Sequence, residues 1–394
     1  MAKRRRRRRR PPDAPSGVDR TEAGEAHIRT KTAVETAKRP YLRSPDETER
    51  FAALDLGTNN CRLLIASPRG RSFRVFDAFS RIVRLGEGMS TSGALSEAAM
   101  ARTIEALAVC AEKIARRNVT RQRCIATQAC RAASNGEAFL ARVRVETGLE
   151  FEIITPAEEA RLAVTGCADL FDDSADAGLI FDIGGGSTEI SWVTPGTGVG
   201  VARSLEVVAW TSLPIGVVNL SERFGGRDLS RETYNDLVAT IRQEIASFGD
   251  PAGMKPIFER GGAHFLGTSG TVTSIAGIHL KLPRYRRDAV DGLWLSAEEV
   301  RGVTESLRVM SYDERAAEPC IGVERADLVV CGCAILDALL LEWPATRIRV
   351  ADRGLREGVL AGLARAHNRE RDRKRGRRRR RRRPDAARPA DARK

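Results

Sequence analysis

Histidine is nearly missing from this chain of 394 residues. The four that occur, His27, His264, His279 and His367, lie far apart. The eight cysteines, Cys61, Cys110, Cys124, Cys130, Cys167, Cys320, Cys331 and Cys333, include no CxxC pair and no Cys/His cluster at zinc spacing. A structural zinc site is therefore excluded, and buried free thiols in a reducing cytosol are expected. No apolar run reaches the ~20 residues of a transmembrane helix, so no membrane contact is expected. The N-terminus has arginines without an apolar segment behind them, so no secretory signal is expected and the protein is assigned to the cytoplasm. There is no Gly-Lys dipeptide and hence no Walker A loop, and there is no Gly-x-Ser-x-Gly elbow. Gly196-Thr-Gly-Val-Gly200 falls in an expected hairpin turn, which excludes a dinucleotide fingerprint.

Arginine is abundant and unevenly placed. Residues 1–50 carry 15 Lys and Arg against 8 Asp and Glu, and residues 367–394 carry 15 against 4. Residues 51–366 are left with a net charge of −4. The basic character thus belongs to the two ends, whereas a nucleic-acid-binding fold usually carries its basic patch on the folded domain. Residues 1–50, with Arg4 to Arg10, and residues 367–394 are expected to be disordered. Each Arg-rich tail is either a solvated, self-repelling segment or a salt-sensitive tether for a polyanion such as RNA or long polyphosphate.

Between the tails, one motif occurs twice. In Leu179-Ile-Phe-Asp-Ile-Gly-Gly-Gly-Ser-Thr-Glu-Ile190 an apolar run ends at Asp182, three glycines follow, and a second apolar run begins. This predicts a β-hairpin whose turn can bring backbone N–H groups against an anion. The carboxylate of Asp182 at the strand end suits Mg²⁺ held against phosphate oxygens. Phe51 to Ala66 has the same grammar, with Asp55 at a strand end and Gly57, Thr58, Asn59 and Asn60 in the turn. The two aspartates are 127 residues apart, a spacing that predicts two similar halves facing each other across a cleft.

The flanking elements repeat in order. Strands are expected at 51–56, 61–66 and 73–79, then a helix from Ser96 to Arg117, a strand from Cys124, a helix over 135–147, a strand from Phe151 and a helix opening at Pro156. The second half predicts strands near 178–183, 187–193 and 199–208 and a helix over 229–248. A strand over 263–266 then leads through Gly267 to Ser274 into a helix. A helix over 326–341, a strand over 348–350 and a last helix over 354–366 follow. Two α/β domains related by a pseudo-repeat result, at 51–175 and 176–366.

Four further places could carry chemistry. Arg131 follows a strand end and could grip phosphate through its guanidinium fork. Glu158 and Glu159 at a helix start are dipole partners, unless one projects into the cleft as a general base. Gly270 and Thr271 sit where backbone N–H groups could form a third anion nest. Asp352-Arg-Gly-Leu-Arg-Glu-Gly358 supplies either an interdomain ion-pair network or direct ligand contact.

Leu54-Asp-Leu-Gly-Thr-Asn, Arg84-Leu-Gly-Glu-Gly, Ala126-Thr127 with Arg131, and Glu158-Glu-Ala-Arg161 resemble, in order and spacing, the exopolyphosphatase/guanosine pentaphosphate phosphohydrolase family. So do Phe181 to Glu189, Gly267 to Thr271, Gly322 to Asp327 and Asp352 to Gly358. The resemblance covers about 51–366. It implies two RNase H-like domains of the actin-like ATPase superfamily (actin, sugar kinases, Hsp70) facing a central cleft. It implies Glu159 as the base that activates water, and Asp182 and Glu189 as acidic residues for Mg²⁺ and water positioning. Asp55 matches the first-hairpin carboxylate. Gly57, Thr58, Asn59, Asn60, Gly184, Gly185, Gly186, Ser187, Gly270, Thr271 and Arg131 match phosphate contacts. Asn60 departs from the usual Ser or Thr but keeps a donor. The implied substrates are inorganic polyphosphate or guanosine pentaphosphate, and a homodimer is compatible with the family. Arginine takes over after residue 368, where long members continue into a C-terminal helical domain, so the short, two-domain form is expected. A non-catalytic polyanion or RNA binder acting through its tails is the alternative of another class.

Overall fold

The computed structural model describes residues 49–381, apart from residues 71, 197–203 and 251–252, with side chains as far as residue 374. The disorder expected for residues 1–48 and 382–394 lies outside the described residues.

The first half holds β1 (Phe51–Leu56), β2 (Asn60–Arg69), β3 (Ser72–Ile82), α1 (Met89–Ser92), α2 (Glu97–Arg116), β4 (Arg121–Ala126), α3 (Gln128–Ala132), α4 (Gly136–Thr147), β5 (Phe151–Ile153) and α5 (Pro156–Cys167). The second begins with β6 (Ala177–Ile183), β7 (Thr188–Pro195), β8 (Leu205–Leu213), α6 (Val217–Phe224), α7 (Arg231–Ala246), α8 (Lys255–Glu259), β9 (Ala263–Thr268) and α9 (Gly270–His279). It continues with α10 (Arg287–Val290), β10 (Trp294–Ser296), α11 (Ala297–Val309), α12 (Tyr312–Ala317), α13 (Val329–Glu342), β11 (Arg347–Ala351) and α14 (Leu355–Arg381).

The pseudo-repeat is visible in the strand order. The first sheet runs β3-β2-β1-β4-β5 and the second runs β10-β11-β9-β6-β7-β8. Read from the hairpin side, β8-β7-β6-β9-β11 repeats β3-β2-β1-β4-β5 with the same antiparallel and parallel pairings, and β10 is an added edge. The central strands β1 and β6 are almost wholly buried apolar runs, as expected of strands covered on both faces.

Three expectations need correction. The third strand of the second half is Leu205–Leu213 rather than 199–208, because it pairs with β7 as far as Thr188↔Leu213; residues 197–203 lie outside the described residues. The helix after β9 starts at Gly270 and not beyond Ser274, so Thr271 to Ser274 form its buried first turns. The last helix does not stop at residue 366 but runs to Arg381. Within the expected disordered tail, residues 367–381 are therefore helical. Arg and Lys are good helix formers, and the segment is fastened by ring contact of His367 with Phe51 and by the Arg121–Glu370 ion pair at 2.7 Å.

The division at residue 175 is also crossed twice. Helix α5 closes the first half in sequence, yet Val164 and Cys167 pack with Ile180, Val193 and Leu266 of the second sheet. Helix α14 closes the second half, yet Val359 and Leu360 pack with Phe51, Ala53 and Ile125 of the first sheet. The two helices cross at glycines. A Cβ on Gly358 would lie 2.1 Å from the carbonyl oxygen of Leu162, and one on Gly166 would lie 1.9 Å from that of Gly354.

Candidate active site

The two hairpins close in the same way. Gly57 N–H donates to the carbonyl of Asn60, and Gly184 N–H donates to that of Ser187, both at 2.9 Å. Each loop is then held from behind by the backbone that follows the third strand of its half. Val83 and Gly86 donate to the carbonyls of Asn59 and Thr58 at 2.8 and 2.9 Å, and Val217 and Val218 donate to those of Gly184 and Gly185 at 3.0 and 2.8 Å. Here glycine is required by space. A Cβ on Gly216 would sit 2.4 Å from the backbone of Gly185 and Gly186, and one on Gly185 would sit 3.0 Å from Thr58 Cβ. The two turns thus meet tip to tip across the cleft.

Asp55 and Asp182 occupy equivalent places at the ends of β1 and β6. Their cross-strand partners differ: Arg62 lies opposite Asp55, and Glu189 lies opposite Asp182. Glu189 is buried and accepts hydrogen bonds from Ser187 Oγ at 2.7 Å and Ser212 Oγ at 2.8 Å. Thr155 caps α5 through the N–H of Glu158 and so fixes which way the next residues face. Glu158 turns outward to Arg161 and Arg123, whereas Glu159 turns inward and is buried against the cleft.

One cavity is lined by Asp55, Asp182, Glu159 and Glu189, by the two loops with Gly57, Thr58, Asn59, Asn60, Gly184, Gly185, Gly186 and Ser187, and by Gly270 and Thr271 at the start of α9. Every candidate residue except Arg131 is therefore brought together. Arg131, on the last turn of α3, instead donates to the carbonyl of Ile154 at 2.7 Å and meets Glu159 Oε2 at 3.2 Å. Its position is that of a partner to Glu159.

The electrostatics of the cavity are those of crowded carboxylates. Burial, followed by the charge of Glu189, pushes the Glu159 carboxyl well above its usual range. Burial and the neighbouring Asp182 push Glu189 up to about 7. Desolvation raises Asp55 to about 6 against the opposing pull of Arg62, and it raises Asp182 as well. Buried side-chain acceptors without a hydrogen-bond partner among the described residues include Asn59 Oδ1, Asn60 Oδ1 and Ser269 Oγ. Such a donor set fits a divalent cation. Among the described residues no group of three or more His, Cys, Asp or Glu could hold a metal ion by itself; Mg²⁺ commonly takes only one or two carboxylates, with substrate phosphates and water completing its shell.

Arg62, Gln128 and Arg325, which the sequence did not single out, line the same cavity, as does Ser269 of the Gly267 to Thr271 motif. Gln128 Oε1 accepts from Thr58 Oγ1 at 2.9 Å, which ties α3 to the first loop. Ser269 has φ of 132°, a backbone state that a serine rarely adopts. Arg62 and Arg325 have no carboxylate ion-pair partner among the described residues, and burial together with Arg62 pushes the Arg325 guanidinium down. The repeat itself held a signal for Arg62, since it stands where Glu189 stands in the other half. A second cavity continues from the first past Arg62, Arg325 and Arg356 to Tyr285, Arg287 and Arg353. Arg287 pairs with Glu357 at 2.8 Å, Arg353 pairs with Asp291, and Tyr285 donates to Asp352 at 2.6 Å. The charges of 352–358 therefore form an ion-pair network within the second half.

No helix among the described residues is long and apolar enough to cross a membrane. The chain matches the Ppx/GppA phosphatase family over residues 64–367. Exopolyphosphatase 2 of Mycobacterium tuberculosis is 30% identical to it over 329 residues, which are 80% of this chain and 98% of the relative. The crystal structure of the Aquifex aeolicus member of the Ppx/GppA family superposes with a TM-score of 0.66 at 28% identity, covering 81% of this chain and 99% of the other. An exopolyphosphatase from Cytophaga hutchinsonii, 23% identical, shares the fold with a TM-score of 0.70 over 80% of this chain and 97% of its own. The chain belongs to the Ppx/GppA phosphatase family, phosphohydrolases built on the actin-like ATPase fold.

Proposed function

We propose that the protein is an exopolyphosphatase, which hydrolyses the terminal phosphoanhydride of inorganic polyphosphate and releases orthophosphate. The observation that carries this reading is the inward, buried Glu159 sharing one cavity with two phosphate-loop hairpins and three more carboxylates. A binding protein that only held a polyanion would gain nothing from four buried acids, since each repels the ligand. The 30% identity to an exopolyphosphatase supports the same substrate.

The residues divide the work. The backbone N–H groups of the two turns and of the start of α9 cradle the terminal phosphates. Arg62 and Arg325, which form no ion pair among the described residues, supply positive charge and so favour the charge that spreads over the transferred phosphoryl group. One or two of Asp55, Asp182 and Glu189 would hold Mg²⁺ directly, with phosphate oxygens and water completing its shell, and the ion would neutralise phosphate charge. Glu159 accepts the proton of the attacking water. Its raised proton affinity makes it a better base than an exposed carboxylate. Arg131, at 3.2 Å, orients it.

A second reading, guanosine pentaphosphate 5′-phosphohydrolase, uses the same chemistry. Tyr285, Pro319 and Ile321 favour it by giving the second cavity an apolar wall against which a base could lie. Phosphate release by the full chain with Mg²⁺ from short polyphosphate, long polyphosphate and guanosine pentaphosphate, with Glu159→Gln as control, decides between them. Release from polyphosphate that disappears in the variant is the expected result. Release from the nucleotide alone would replace the first reading by the second.

A further inference from the structure

Helix α14 links the cleft to the most basic part of the chain. Leu355, its first residue, lines the cleft. At about 1.5 Å per residue the helix carries Arg381 about 39 Å from that wall. Val359 and Leu360 are buried in the core, and Glu370 is fastened to the body by Arg121. Beyond it, Asp372, Arg373 and Lys374 are exposed. From Arg371 to Arg383 the sequence holds eleven Lys and Arg against one Asp.

The arginines are in register. Arg365, Arg369 and Arg373 follow one another at four-residue intervals, which makes each the neighbour of the next on the helix surface, and Arg377 and Arg381 continue the spacing in sequence. Among the described residues no carboxylate forms an ion pair with Arg365, Arg369 or Arg373. Their charges are instead set against each other: burial, then Arg161 and Arg369, push the Arg365 guanidinium down. Like charges at this spacing destabilise a helix. A linear polyanion laid along the arginines would remove that repulsion.

We propose that this arginine row on α14 is a docking track for long polyphosphate, holding the chain outside the cleft while its end is cut; the proposal rests on the polyphosphatase reading above. Polyphosphate fits better than RNA for two reasons. The track starts on the helix that lines the cleft. It also contains no Phe, Tyr or Trp between Arg365 and Arg383, so it offers no platform for stacking bases.

The test is binding of long polyphosphate, tripolyphosphate and a single-stranded RNA of matching charge, over a range of salt and without divalent cation. It compares the full chain with a variant carrying Arg369→Gln, Arg373→Gln, Arg377→Gln and Arg381→Gln. Arg4 to Arg10 are kept in both, so the difference reports α14. At about 0.7 per neutralised phosphate, the logarithmic salt slope for long polyphosphate is expected to become shallower by about 3 in the variant, with tripolyphosphate binding unchanged. A second variant, Arg377→Gln with Arg381→Gln, lies beyond the fastened part and is expected to show about half that change. Equal long-chain binding by wild type and variants would overturn the track, as would loss of RNA binding alone. Failure of the wild type to release phosphate from any polyphosphate with Mg²⁺, with the binding difference intact, would remove the proposed activity and leave the track standing.

Discussion

Arg84 donates two hydrogen bonds to Asp327 across the cleft, Nη1 to Oδ2 and Nη2 to Oδ1, both at 2.9 Å. Arg84 has a φ of 46°, a left-handed backbone state that L-residues avoid. Glu222 adds a second clasp by accepting from Gly88 N–H at 2.7 Å and from Ser90 Oγ. Both clasps join the first half to the second. Asp327→Asn is expected to raise KM severalfold with a smaller change in kcat. A double-mutant cycle of Arg84→Ala with Asp327→Ala should give a coupling of about 1 kcal/mol. Additive losses would show that the pair does not hold the halves together.

Glu159→Gln should lower kcat at least about 100-fold, the usual contribution of a general base. The affinity for substrate should stay within a few-fold, because Gln keeps the shape. A matching loss of binding in a calorimetric titration would take Glu159 out of the base role.

The crowded carboxylates predict a pH dependence of stability. Asp55 rises from 3.8 to about 6 and Glu189 from 4.5 to about 7 on folding. The folded state then binds protons that the unfolded chain has released, so their stabilising contribution is full below about pH 4 and is lost as pH rises to about 7. Glu189→Gln, which cannot ionise, should unfold at a higher temperature than wild type at pH 8, with little difference at pH 4.5. Mg²⁺ should narrow the gap at pH 8. A gap that does not change with pH would show that Glu189 is not strained by its charge.

Gly185→Ala places a methyl 3.0 Å from Thr58 Cβ and 3.1 Å from Asn59 N. The two turns would be forced apart while each half stays folded. kcat/KM should fall at least about tenfold with the melting temperature nearly unchanged. Full activity would show that tip-to-tip contact of the turns is dispensable.

Gly358→Ala drives a methyl into the carbonyl of Leu162 at 2.1 Å. Prying α5 and α14 apart should cost about 1–3 kcal/mol in urea unfolding. An unchanged midpoint would mean that the crossing relaxes freely.

The hairpins, the repeat and the acids of the cleft were legible because they are local. A strand end, a Gly turn and a carboxylate at fixed offsets announce themselves within ten residues, and Asp55 and Asp182 stand where that grammar puts them. Glu159 needed the resemblance to be chosen over Glu158, since only the direction of the helix separates an outward from an inward neighbour. Arg325 lies inside the Gly322 to Asp327 motif but was not singled out; it reaches the cleft, together with Leu328 and Val329, through the turn before α13. The pairing of Arg131 with Ile154 and Glu159 was not legible because both contacts are long-range. The end of α14 was missed because charge density argues for disorder, while Ala, Arg and Lys favour helix and Phe51 and Arg121 fasten it.

The exchange of α5 and α14 between the two sheets also bears on how the chain can be cut. A fragment ending at Asp352 would keep all eleven described strands and every acid of the cleft. It would nonetheless leave Phe51, Ala53, Leu64 and Ile125 facing water where Val359 and Leu360 now cover them. A cut at residue 175 would strand α5 with the wrong partner. The repeat looks like a duplication, yet neither copy is self-sufficient. Proteolysis between them should yield pieces that stay together until denatured, and separate expression should yield pieces that aggregate.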